Sequence, residues 1–231
     1  TQWHEIENLE QQNLPKSALD KVQLLYEKAQ KDKNETQFIK ALLYQEKYLY
    51  TLNEEGYVGT IQNIEKALKQ SPTHNTKLIL TSILAQLYST YLDNNRYNLQ
   101  ERTPLTEEKN KDIKTWSIEK LLNKASTLYL ESLNPKAQEI SINAYTTILS
   151  ENKNTTDLRP TLYDFLAFRA LEYFNNERNY LTEPVYAFEL KDKEALGSLK
   201  TFMNHHFNTK DKTSFKYQTL RIYQKLLQFH Y

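Results

Sequence analysis

Three glycines in 231 residues constrain this chain more than any other feature. Glycine takes positive φ at little steric cost, so phosphate-cradling loops, tight two-residue hairpins and the sharp turn beneath a nucleophilic serine all draw on it. A dinucleotide-binding, P-loop or β-sandwich architecture would need more glycine than is present. Helices do not need it.

The apolar pattern is helical nearly throughout. After Pro15, residues Ala18, Leu19, Val22, Leu25, Tyr26 and Ala29 recur at three- and four-residue spacing, the stripe of a helix with one buried face. A polar turn, KDKNET, follows, with Asn34 and Gln37 placed like a capping box. In the next helix Phe38, Ile39, Ala41, Leu42, Leu43, Tyr44, Tyr48, Leu49 and Leu52 surround most of the circumference, so it must be covered on more than one side. The alternation repeats. Gly56 and Gly59 punctuate, Thr60 is placed to cap, and Ile61, Ile64, Ala67 and Leu68 make a narrow stripe that stops at Ser71-Pro72. From Asn75 a second many-sided helix carries Leu78 to Leu80, Ile83, Leu84, Ala85, Leu87, Tyr88, Tyr91 and Leu92. One-sided and two-sided helices in alternation predict stacked antiparallel hairpins. Glu27-Lys28-Ala29 reappears 38 residues on as Glu65-Lys66-Ala67, a period that suits tetratricopeptide-like or HEAT-like hairpins, without the full tetratricopeptide consensus.

Residues 100–112 read as a loop. A helix over 113–133 follows, stopped by Asn134-Pro135, and then a segment over 136–149 that reads either as short helices or as irregular packed chain. Residues 150–159 read as loop, and Pro160 sits in the first turn of a strongly apolar helix holding Leu162, Phe165, Leu166, Phe168, Ala170, Leu171 and Phe174. Residues 185–188 are expected to be loop, with final helices over about 193–206 and 215–229. The last of these stops with its apolar face in need of a cover, which points to a piece of a longer protein.

Charge and composition exclude further classes. Thirty Lys and Arg stand against 29 Asp and Glu, so no excess charge recruits nucleic acid or anionic lipid. With no cysteine there is no disulfide, thiolate metal site, catalytic thiol or internal thioester. The mean hydropathy of −0.76 is low for a packed chain, and the 17 Tyr and 9 Phe make up the apolar area. No stretch of about 18 apolar residues is present. The opening TQWHEIENLEQQN has no export-leader pattern, leaving a cytosolic protein or an exported one whose leader lies outside this sequence.

Candidate chemistry is sparse. His205 and His206 are adjacent, which on a helix turns them about 100° apart instead of onto one metal. They read as cations at a helix C-terminus. Glu54-Glu55 and Glu107-Glu108 fall in polar turns and read as solvated charge. Asp164, the one acid in an apolar, aromatic context, is the only residue resembling the acid of an all-helical glycosidase toroid, and its plainer role is to close a capping box with Thr161. Tyr44, Tyr48, Tyr88 and Tyr91 read as packing between hairpins, with a peptide groove as the alternative. No catalytic, cofactor-binding or metal-ligating residue is assigned, and no cofactor is expected.

Three segments carry a resemblance: Trp3 with Leu14-Pro15-Lys16-Ser17-Ala18-Leu19; Leu158-Arg159-Pro160-Thr161-Leu162-Tyr163-Asp164-Phe165-Leu166-Ala167 with Arg169-Ala170-Leu171; and Arg221-Ile222-Tyr223-Gln224 with Leu227 and His230. In these the chain resembles the helical N-terminal region of large bacterial, Bacteroidetes-type alpha-2-macroglobulin-like proteins. The resemblance implies an exported protein, lipid-anchored in its full-length form and sited in the periplasm or cell envelope. Its bait region and Cys-Gly-Glu-Gln thioester would lie downstream. Phe168 stands where that family usually has a His, and no functional residue carries over.

The sequence therefore predicts an all-α chain of stacked helical hairpins with negligible β structure, a single domain over 1–231 with a possible division into 1–99 and 113–231. The expected function is a non-catalytic scaffold or interaction module of an endopeptidase-inhibiting macroglobulin. Its expected partners are downstream domains of the same chain, and proteases or other envelope proteins. Neither nucleic-acid binding nor membrane insertion is expected. The alternative is a free-standing peptide-binding adaptor, which predicts a surface where aromatic and basic side chains converge.

Overall fold

In the computed structural model, which describes residues 2–52, 56–100, 112–149, 155–176 and 186–231, the chain is all-α. Its helices are α1 (Gln2–Gln11), α2 (Pro15–Lys31), α3 (Glu35–Leu52), α4 (Gly56–Lys69), α5 (His74–Gln100), α6 (Ile118–Ser132), α7 (Thr155–Leu158), α8 (Leu162–Phe174), α9 (Leu199–Asn204) and α10 (Phe215–His230). The one β feature among the described residues is an isolated bridge between Ser141 and Thr161.

The first two joints are built alike and without glycine. Asn13 and Lys33 take positive φ, 57° and 52°. The following N–H reaches back five residues in each, from Leu14 to Leu9 O and from Asn34 to Ala29 O, both at 2.9 Å. This closes the helix end and reverses the chain. Each of α1 to α5 packs on the next helix in order, ending with α5 on α6. At the start of α3, Asn34 Oδ1 accepts the Gln37 N–H at 3.2 Å, one arm of the expected box. The Gln37 side chain turns to α1, where Oε1 accepts the Trp3 indole N–H at 2.6 Å.

The two-sided α3 separates two layers of core. Ala41 and Tyr48 of α3 pack with Ile6, Ala18 and Val22 of α1 and α2. Phe38, Ile39 and Leu42, on the other side of α3, join the main core, whose buried members run from Ala29 to Leu226. Buried residues of α5, among them Leu80, Leu84, Ala85 and Tyr88, lie in that core beside α4, α6 and α8.

Tyrosine makes this core possible at low hydropathy. The ring goes inside and the hydroxyl donates to an acceptor on a neighbouring element. Tyr48 donates to Glu10 at 3.1 Å, Tyr88 to Glu65 at 2.8 Å, Tyr145 to Glu35 at 2.7 Å and Tyr173 to the Leu122 carbonyl at 3.0 Å. Burial, with the acceptor carboxylate in the first three, raises these phenols' pKa values above the ordinary tyrosine value. Glu46 is the buried acid of α3, its carboxyl raised by desolvation and partly offset by Thr60 and Asn63. A satellite cluster forms where Phe188, Ala195 and Phe207 meet Tyr217 and Leu220 of α10. Gln224 fastens it, donating to the carbonyls of Phe202 and His205 at 2.7 and 2.8 Å.

Several boundaries differ from the sequence reading, each for a local reason. The opening segment, unassigned above, is α1, with Ile6 buried. α4 begins at Gly56, and Thr60 bonds back to the Gly56 carbonyl from inside the helix instead of capping it. The helix expected over 113–133 breaks into a 3₁₀ turn at Ile113–Thr115 and α6, because Ser117 is extended and its hydroxyl accepts the Lys120 N–H. Residues 136–149 hold the 3₁₀ turns Pro135–Glu139 and Ile142–Tyr145 and the bridge to Thr161. Part of the loop expected over 150–159 is the single turn α7. Pro160 precedes the N-cap of α8, which is Thr161. The helix expected over 193–206 is shortened to a 3₁₀ turn, Glu194–Leu196, and α9, with Ser198 as N-cap and His205 extended at its end. The apolar face of α10 is covered from within, since Ile222, Leu226 and Phe229 pack into the main core beside α8. The expected loop residues 101–111, Glu54-Glu55, Glu107-Glu108 and Val185 lie outside the described residues.

Candidate functional site

The wall of a wide cleft between α5 and α8 begins with the capping of α8. Thr161 Oγ1 accepts the Asp164 N–H at 3.2 Å, and Asp164 Oδ2 accepts the Thr161 N–H at 3.1 Å. This is the capping box expected from the sequence, and it sets the angle at which α8 leaves the Ser141–Thr161 bridge. From there Leu162, Phe165, Phe168, Arg169, Glu172 and Asn175 project along one side of α8. Ile79, Ile83, Gln86, Leu87 and Thr90 do the same along α5. The segment from Ile142 to Leu149, with Ile39, Leu43, Tyr57, Thr156, Arg159, Leu171 and Tyr223, completes the described lining of a cleft of about 1380 Å³.

Its lining is mostly aliphatic and aromatic, with two arginines set into it. Arg169 spans from α8 to α5. Its Nε donates to Ser82 Oγ at 2.9 Å, and its Nη2 donates to Gln86 Oε1 at 2.7 Å and, more weakly, to the Ser82 carbonyl at 3.4 Å. The guanidinium carbon lies 5.6 Å from the centre of the Phe165 ring. Desolvation lowers its pKa below the ordinary arginine value, but a guanidinium stays protonated in water at any physiological pH. Arg159 lies over Phe168, its guanidinium carbon 3.6 Å from the ring centre. Neither arginine forms an ion pair among the described residues. Among the described residues of the lining, Glu172 is the only carboxylate.

The residues singled out from sequence fall elsewhere. Asp164 is 1% exposed, outside the cleft lining, and its second oxygen takes His230 Nε2 at 2.6 Å. His205 caps the end of α9 and faces Asp192 Oδ2 at 3.2 Å, while His206 stands beyond the helix. The four tyrosines do not line one groove. Tyr44 and Tyr48 pack with Trp3 and α1, whereas Tyr88 stacks on Trp116 at 5.6 Å and Tyr91 meets Tyr57 at 6.3 Å. Among the described residues no three His, Asp or Glu side chains group as metal ligands, and no helix is long and apolar enough to cross a membrane.

Sequence reasoning missed the cleft because its described lining comes from six separate stretches of chain. One local signal was legible: Phe165, Phe168 and Arg169 at three- and four-residue spacing, with Arg159 just ahead. No protein-family model, curated protein or solved structure matches the chain.

Proposed function

We propose that the chain is a non-catalytic helical interaction module and that the cleft between α5 and α8 is its working surface, receiving an apolar segment of a partner polypeptide. The observation that carries this reading is the cleft itself. At about 1380 Å³ it exceeds the roughly 300–1,000 Å³ usual for small-molecule sites. The α5 wall from Ile79 to Thr90 runs about 17 Å, or three helical turns, which suits a helix laid lengthwise in a groove. Aromatic and basic side chains converge there, as a peptide-binding adaptor requires. The resemblance supports a wider setting, a module at the N-terminus of an exported macroglobulin-like inhibitor, with later domains of that chain, proteases or envelope proteins as partners. The cleft supports the narrower reading of a docking surface.

The test is a calorimetric titration with an amphipathic peptide of about 14 residues, Leu on one face at three- and four-residue spacing and Gln and Ala elsewhere. Wild type is expected to bind it with a Kd on the order of micromolar. Leu43 lines the cleft and is 38% exposed, so Leu43→Glu leaves the core packing alone and puts a charge where the peptide's apolar face would lie. The variant is expected to bind at least about tenfold more weakly. Equal affinity of variant and wild type, or no binding by wild type, would overturn the reading.

A further inference from the structure

The two arginines make the cleft selective in charge as well as in shape. Arg169 has five N–H donors and, among the described residues, spends them on one edge only, through Nε and Nη2 on Ser82 and Gln86. The Nη1 end has no acceptor there. Arg159 is exposed, and among the described residues the ring face of Phe168 is its one cation–ring, ion-pair or hydrogen-bond partner. Phe165 and Phe168 are three residues apart on α8, so the two guanidinium groups flank a single helical turn. Each is held in place by a ring and, for Arg169, by α5 as well, which lowers the entropy lost when it engages a ligand. Among the described residues of the lining, two cations stand in apolar surroundings against one carboxylate, that of Glu172. An apolar ligand with no anion would leave the Nη1 donors of Arg169 desolvated and without an acceptor, a cost that a carboxylate removes.

We propose, resting on the reading of the cleft as a docking surface, that its occupant is an amphipathic helix whose apolar face is bordered by Glu or Asp, the carboxylate docking at the Phe165–Phe168 turn between Arg159 and Arg169. Volume favours a polypeptide over a single lipid acid, and the lining offers one acid-reading turn within a longer apolar trough.

Three peptides on one Leu-faced scaffold separate this proposal from the reading beneath it, carrying Glu, Gln or Lys at the two positions bordering the apolar face. The Glu peptide is expected to bind wild type about tenfold more tightly than the Gln peptide, with Lys weaker still, and the Glu–Gln gap should shrink as salt rises. Arg159→Gln, at an exposed side chain, should narrow the gap without changing the fold. Arg169→Gln should narrow it further, and Arg169→Lys should keep part of it. If the three peptides bind alike, the charge selectivity is overturned while the docking surface stands. If none binds, both fall. If dodecanoate displaces the Glu peptide at concentrations below the peptide's own Kd, the occupant is a lipid acid and the proposal is overturned.

Discussion

Replacing Phe174 by Ala is expected to lower the free energy of unfolding by about 3–5 kcal/mol, the usual range for emptying a buried aromatic site. Phe174 is 0% exposed at the last turn of α8. Its ring lies 5.0 Å from Tyr173 and 5.2 Å from Phe215, centre to centre. Tyr173 in turn stacks on Tyr129 of α6 at 4.8 Å and meets Phe215 of α10 at 5.3 Å. This aromatic knot ties three helices that are distant in the chain, and the hole left by Ala cannot be filled by moving one of them alone. Domains of this kind are stable by only about 5–15 kcal/mol, so the loss should appear as a large fall in the urea midpoint by circular dichroism. A change below about 1 kcal/mol would mean that α8 and α10 are not held together at this point.

The second large effect concerns Asp164. A capping role alone makes Asp164→Ala cost about 1 kcal/mol. The structure gives this carboxylate a second task, because His230 Nε2 lies 2.6 Å from Oδ1 and the acid is almost fully buried. Removing it frees the Thr161 N–H and hydroxyl, both bonded to Oδ2, and takes the partner from His230. The expected loss is therefore about 2–3 kcal/mol. A double-mutant cycle with His230→Ala separates the two tasks. If the pair is coupled, Asp164→Ala costs less in the His230→Ala background, with a coupling of about 1 kcal/mol. Strict additivity would reduce Asp164 to a helix cap.

How much of this was legible in the sequence depends on whether the cause was local. The stripes of α2 and α4 and the wrapped patterns of α3 and α5 gave their helices and their layering, because a helix buried on two sides must be apolar on two sides. The Thr161–Asp164 box was readable because both partners sit in one turn. α1 was passed over because its apolar content is only Trp3, Ile6 and Leu9, although their three-residue spacing was a usable sign. The helix predicted over 113–133 was too long because Ile113 and Leu121 face the same core and so continue the stripe across a break that Ser117 imposes. Contacts across the fold left no such trace. Nothing near Asp164 announces His230, 66 residues on, and nothing near Arg169 announces Ser82 and Gln86. The cleft is made of such contacts, so it appears only once α5 and α8 are side by side.

The central claim, that this cleft is where a partner segment lies, is tested most directly by amide hydrogen exchange on wild type with and without the Glu-bearing peptide at saturation. Helical amides of α5 and α8 exchange slowly in any case, whereas the segment from Ile142 to Leu149 lines the cleft with only a single 3₁₀ turn and a few turn hydrogen bonds to protect it. The account predicts slowed exchange at Ile142 to Leu149 on binding, and no change in α1 or around Tyr44 and Tyr48. Unchanged exchange in that segment with the peptide bound, or protection confined to the α1–α3 face, would contradict it.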